Sequence, residues 1–181
     1  MFQNMNIFSK TSLKMICFLG RRYREEYHTR ELVRRLEIGL GSASRYLRIL
    51  EKEELVIKEE KGKLNIYRAN MENPLLKELK LVFTLMEIDE MVKDLKKVSS
   101  QIILFGSCSE GEDSEESDID LFILSDEVKH VNKKIDQYQN KIQRKISPVI
   151  VNDTELRTLK KKDKPFYTRI KKGRTLHEIS I

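Results

Sequence analysis

The chain has 181 residues, 39% hydrophobic and 35% charged, which suits one domain or two small ones and excludes a large multidomain assembly. Its formal net charge of +6 conceals strong blocks, since residues 101–128 hold nine acids and no Lys or Arg while residues 129–181 hold fifteen Lys and Arg against five acids. No run approaches the roughly 20 apolar residues that span a bilayer, the N-terminus lacks signal-peptide order, and two cysteines with three scattered histidines exclude a disulfide framework and the usual zinc finger, so the expectation is a soluble, cytoplasmic protein with no membrane partner.

From Ser9, the residues Leu13, Ile16, Cys17 and Leu19 recur at helical spacing as far as Gly20 and predict a first helix. Thr29 is placed to cap a second, with Leu32, Val33 and Leu36 inward and its close near Ile38-Gly39. Gly41 and Ser42 read as the turn and N-cap of a third helix that turns Ala43, Leu47 and Leu50 inward, with Leu55 sealing its far end. Val56 to Glu59, Lys61-Gly62-Lys63 and Leu64 to Ala69 then read as strand, turn and strand. Two short helices joined by a Gly-containing turn and followed by a hairpin predict a winged helix-turn-helix over residues 1–72.

On the third helix Arg45, Arg48 and Lys52 share the side opposite Leu47 and Leu50. Arginines there can pair with guanine in the major groove, Ser42, Ser44 and Tyr46 can reach base edges or phosphate, and Lys58, Lys61 and Lys63 on the wing can neutralise phosphates, which predicts double-stranded DNA as a partner. A small helical domain with a solvated basic face is the alternative. Over residues 9–70 this order resembles the winged-helix transcriptional regulators of bacteria and archaea.

Pro74 suits a helix start, and apolar residues from Leu75 to Leu95 recur at three and four with no Gly or Pro until Ser99. The expectation is one connecting helix within residues 73–98, of about 25 residues and roughly 37 Å. Its apolar positions form more than one stripe, so the surplus either joins two copies as a homodimer or is buried within the chain.

Residues 101–124 place two apolar strands, Ile102 to Phe105 and Leu121 to Leu124, on either side of a polar acidic loop. Gly106-Ser107 follows the first strand directly, where Gly lets the backbone approach a phosphate and Ser107 can donate to it. Asp118 and Asp120, two apart, project to one face and set two carboxylates together, an oxygen pair that suits Mg²⁺ or Mn²⁺ completed by water and substrate phosphates.

Apolar-Gly-Ser, ten residues, then Asp-Ile-Asp and an apolar strand resembles the signature of the polymerase-β-like nucleotidyltransferases, in particular the minimal ones, over residues 98–181. The resemblance implies a small α/β domain with a mixed sheet over residues 99–181, a nucleoside triphosphate held by Gly106 and Ser107, and catalytic metals held by Asp118 and Asp120. The complete expectation is an α+β chain of winged helix, long helix and nucleotidyltransferase-like domain. Two departures bear on activity: the strand expected at Ser147 to Asn152 lacks the third carboxylate usual in active members, and Glu110 stands where many minimal members have Arg.

Glu127 to Ile146 reads as one amphipathic helix over the sheet, and Asp153 as the cap of a helix through Thr158. The cations from Lys160 to Arg174 suit a triphosphate, a nucleic acid or plain solvent, with a short helix ending at Gly173. Two functions follow: a DNA-binding regulator that binds NTP and Mg²⁺, or a working transferase of NMP onto a protein, nucleic acid or small molecule, targeted by its winged helix.

Overall fold

The structure is a computed structural model that describes residues 5–179. The chain divides into two compact units, Met1–Lys80 and Leu81–Ile181. Among the described residues no helix is long and apolar enough to cross a membrane.

In the first unit a 3-10 turn (Met5–Phe8) precedes α1 (Lys10–Arg21), β1 (Tyr27–His28), α2 (Thr29–Leu36), α3 (Leu40–Lys52), β2 (Val56–Lys61) and β3 (Leu64–Ala69). The three strands form one antiparallel sheet in the order β1-β3-β2, so the fold is a winged helix. Met15, Ile16, Leu19, Leu32, Leu47, Leu50 and Leu55 are fully buried at its centre, whereas Leu13 and Cys17 are only half-buried. Ser9 caps α1 as its hydroxyl accepts from the Ser12 N–H at 3.1 Å.

Two expected caps move. His28, not Thr29, caps α2, its Nδ1 accepting from the Glu31 N–H at 3.3 Å, and Thr29 is the first helical residue. The extended residue before α3 is Gly39, so Gly41 and Ser42 lie inside its first turn. The inward residues of α3 define its phase but not its start, and Gly41 needs no positive φ.

Helix α4 (Pro74–Leu95) has 22 residues, about 33 Å, and is shorter than expected because the chain beyond Leu95 tightens into a turn, the Lys97 and Val98 N–H groups donating to Asp94 O and Leu95 O at 3.3 and 3.0 Å. Asn73 receives its start, with Oδ1 accepting from the Leu75 and Leu76 N–H groups at 2.8 and 3.3 Å. Leu76 and Leu79 are buried in the first unit, and Leu81, Ile88, Met91 and Leu95 in the second, while Val82 and Met86 are exposed.

The second unit continues with β4 (Gln101–Phe105), the single turn α5 (Ser107–Glu110), β5 (Ile119–Leu124), α6 (Val128–Gln139), β6 (Ile146–Val151), α7 (Asp153–Lys162), α8 (Lys164–Lys171) and β7 (Arg174–Glu178). The sheet order is β6-β5-β4-β7, with β5 and β6 parallel and the other pairs antiparallel, a mixed sheet. Ile119, Leu121 and Ile123 pack with Val131 and Ile135 of α6 and with the buried residues of α4. The other face brings Ile103, Phe105 and Phe122 against Ile170 of α8, flanked by Leu156, Leu159 and Phe166. Burial on both faces is why β4 and β5 read as unbroken apolar runs.

Three expectations change here. Helix α6 ends at Gln139 although Ile142 and Ile146 continue its apolar period, because the Gln139 side chain gathers the departing chain: its amide donates to Arg144 O at 3.1 Å, and its Oε1 accepts from the Ile146 N–H at 2.8 Å. Asn152 rather than Asp153 caps α7, in a reciprocal box with Glu155, and the helix runs on through Lys162. Gly173 precedes a strand, β7, that the mostly polar run Arg174 to Glu178 does not predict. A Cβ there would stand 2.3 Å from Leu104 O and 2.9 Å from side-chain atoms of Ile103 and Phe105, so only Gly lets β7 join β4.

Candidate active site and nucleic-acid interface

Phe105 pairs with Asp120 across β4 and β5, which brings the Gly106-Ser107 bend beside the second acid. Gly106 has φ 68° and ψ −163°, a conformation open almost only to Gly, and a Cβ there would lie 2.3 Å from Asp120 Oδ2. The backbone therefore lies directly against the carboxylate. Ser107 opens α5 and is half-buried, and Ser109 fixes the bend by donating its hydroxyl to Gly106 O at 2.7 Å. Glu110 is exposed at the end of the turn.

The two acids have unlike surroundings. Asp118 Oδ2 accepts from Lys145 Nζ at 2.9 Å and from Ser147 Oγ at 2.8 Å, and these bonds hold its carboxyl below the usual range. Burial, then the negative charge of Asp118, pushes Asp120 upward, with Arg169 of α8 pulling the other way. Asp120 sits opposite Ser147 in the β5/β6 register. No acid lies on β6, and among the described residues no third Asp, Glu, His or Cys completes a metal-holding group. Asp118 and Asp120 are hard oxygen donors, and such a pair fits a divalent ion that takes its other ligands from water and phosphate.

Lys145, Ser147 and Arg169 were not legible as site residues. Lys145 and Ser147 alternate as strand residues of one face do, but only the β5/β6 pairing attaches them to Asp118. A second constellation was also missed. Arg144, 5% exposed, donates to Asp113 Oδ2 at 2.7 Å, Glu87 Oε2 at 2.9 Å, Thr84 Oγ1 at 3.0 Å and Cys108 Sγ at 3.4 Å. Asp113, which reads as one more acid of a solvated loop, is fully buried there. Burial pushes the Cys108 thiol up to about 11, so it stays protonated, donates to Asp118 O at 3.3 Å and serves as a packing residue.

In the first unit Ser42, Arg45, Arg48 and Lys52 are exposed on α3, with Ser44 and Tyr46 half-buried. The Arg45 guanidinium lies over the Tyr46 ring at 5.8 Å. Between α3 and the wing an open groove of about 590 Å³ is lined by His28, Arg30, Ser44, Lys63 and Asn65, among others. Two wing cations already have carboxylate partners: Lys61 pairs with Glu26, and Lys58 with Glu60 at 3.3 Å. Exposed pairs of this sort add little to stability.

The model of the polymerase beta nucleotidyltransferase family matches residues 86–180, more than half of the chain, and the chain belongs to that family. Solved structures similar to it include HlyU from Vibrio cholerae, 22% identical over 45% of this chain and 84% of that one with a TM-score of 0.38. The transcriptional repressor BigR from Xylella fastidiosa is 20% identical over 48% and 81%, with a TM-score of 0.39. The archaeal chromatin protein TrmBL2 is 15% identical over 91% and 71%, with a TM-score of 0.31. No curated protein matches the chain.

Proposed function

We propose that the protein is a DNA-binding regulator whose nucleotidyltransferase domain binds a nucleoside triphosphate together with Mg²⁺. The observation that carries the ligand half is the Gly106 backbone lying against Asp120, with Asp118 two residues away. Gly106 leaves room for a polyphosphate close to the main chain, Ser107 donates to it, and Asp118 and Asp120 hold the ion. The ion supplies charge that neutralises the phosphates. With Ser147 opposite Asp120 where an acid would strengthen the metal set, binding is favoured over turnover.

Incubating the full chain with Mg²⁺ and labelled ATP tests this. The expected result is metal-dependent retention of nucleotide, reduced at least tenfold in Asp118→Asn/Asp120→Asn, with no label transfer. Label transfer or pyrophosphate release lost in the double variant would instead establish the working transferase, with NMP moved onto a protein, nucleic acid or small molecule. Retention equal in the two proteins removes the site altogether.

For the N-terminal unit, α3 enters the major groove with Arg45 and Arg48 toward base edges, Ser42, Ser44, Tyr46 and Lys52 toward bases or phosphate, and Lys61 and Lys63 of the wing on phosphates. Arg45→Ala and Arg48→Ala are each expected to weaken duplex DNA binding by about 1–3 kcal/mol and to flatten its salt dependence. Titrations across salt concentrations check this, and unchanged affinity in both would exclude α3 as the reader. The exposed Val82 and Met86 of α4 supply a contact for a second copy of the chain. Light scattering that returned a monomer mass at micromolar concentration would remove that contact.

A further inference from the structure

Strand β6 runs parallel to β5 with Ser147 opposite Asp120, so these two side chains leave the sheet on one side, and Lys145, two residues earlier, shares that side. Lys145 and Ser147 converge on a single oxygen, Asp118 Oδ2, at 2.9 and 2.8 Å. The next β6 residue of the same face is Val149, so no carboxylate follows. A pair of divalent ions about 4 Å apart needs anionic oxygens enough for both, and here one of two acids is already compensated by an ammonium.

We propose that the Lys145 ammonium takes the place of a second metal ion, leaving the acid pair to hold one divalent ion anchored on Asp120. The assignment rests on the reading of Asp118 and Asp120 as cation ligands. Lys145 is a positioning residue: it neutralises Asp118, repels a second dication and keeps the carboxylate turned toward β6. Ser147, a neutral donor, reinforces that orientation and offers no charge to a metal.

The test is a Mn²⁺ titration of the full chain, without nucleotide, read by loss of the free-ion electron paramagnetic resonance signal. Wild type is expected to bind one ion. Lys145→Met is expected to bind Mn²⁺ at least threefold more tightly, Lys145→Arg to behave as wild type, and Lys145→Met/Ser147→Asp to bind two ions. Two ions in wild type, or a Lys145→Met affinity no higher than wild type, overturns the assignment. Mn²⁺ binding that persists unchanged in Asp118→Asn/Asp120→Asn, or binding absent from both wild type and Lys145→Met, overturns the acid-pair reading itself and this assignment with it. Melting curves recorded without metal identify any variant that has lost its fold, and the Lys145→Arg comparison then carries the result: an affinity equal to wild type supports the assignment, and a threefold change opposes it.

Discussion

Replacing Arg144 by Met is expected to lower the unfolding free energy by about 3–5 kcal/mol, the usual consequence of removing one partner of a buried ion pair. The guanidinium touches Asp113, Glu87, Thr84 and Cys108, which come from the acidic loop, α4 and α5. Met fills most of the volume but donates nothing, so Asp113, with no exposure, loses the guanidinium bond at 2.7 Å that compensates its charge. The loss should be partly restored in Arg144→Met/Asp113→Asn, because the second change removes a buried charge that has lost its guanidinium. Urea unfolding of the three proteins at neutral pH decides the matter, and a loss under about 1 kcal/mol for the single variant would mean that the cluster is not the tie it looks like.

Gly106→Ala should act on the site more than on the fold. Its backbone angles are close to exclusive to Gly, and forcing another residue there costs about 1–3 kcal/mol. The atom in the way is the Asp120 carboxylate oxygen, the free end of a side chain, so the carboxylate rather than the sheet gives way. The expected outcome is a folded protein with cation and nucleotide affinity reduced at least tenfold. Calorimetric titration alongside a melting curve checks both parts. Full affinity in the variant would show that close approach of bend and acid is unnecessary.

The sequence displayed what depends on near neighbours. The apolar faces of α1 to α4, the hairpin of the wing and the two-sided strands β4 and β5 all follow from periodicity, because burial of a face repeats at fixed spacing. Gly106, Ser107, Asp118 and Asp120 were legible for a similar reason: one pair of adjoining strands brings them together. What depends on remote pairing was hidden. Arg144 meets residues 31, 57 and 60 positions away, and nothing in a basic stretch distinguishes it from its exposed neighbours. Strand β1 is two residues long, too short for any period, and β7 lies at an edge where polar residues are tolerated. The end of α6 was overrun because Ile142 and Ile146 keep the helical rhythm, whereas a single Gln139 side chain stops it.

Helix α4 gives buried residues to both units, and this decides how the chain can be dissected. A C-terminal fragment started at residue 99 would leave out Leu81, Ile88, Met91 and Leu95 and so expose the underside of the sheet to solvent. An N-terminal fragment ended at residue 72 would lose Leu76 and Leu79. Each half, to be transplanted or crystallised alone, has to carry its own part of α4, residues 74–80 for the first and 81–95 for the second.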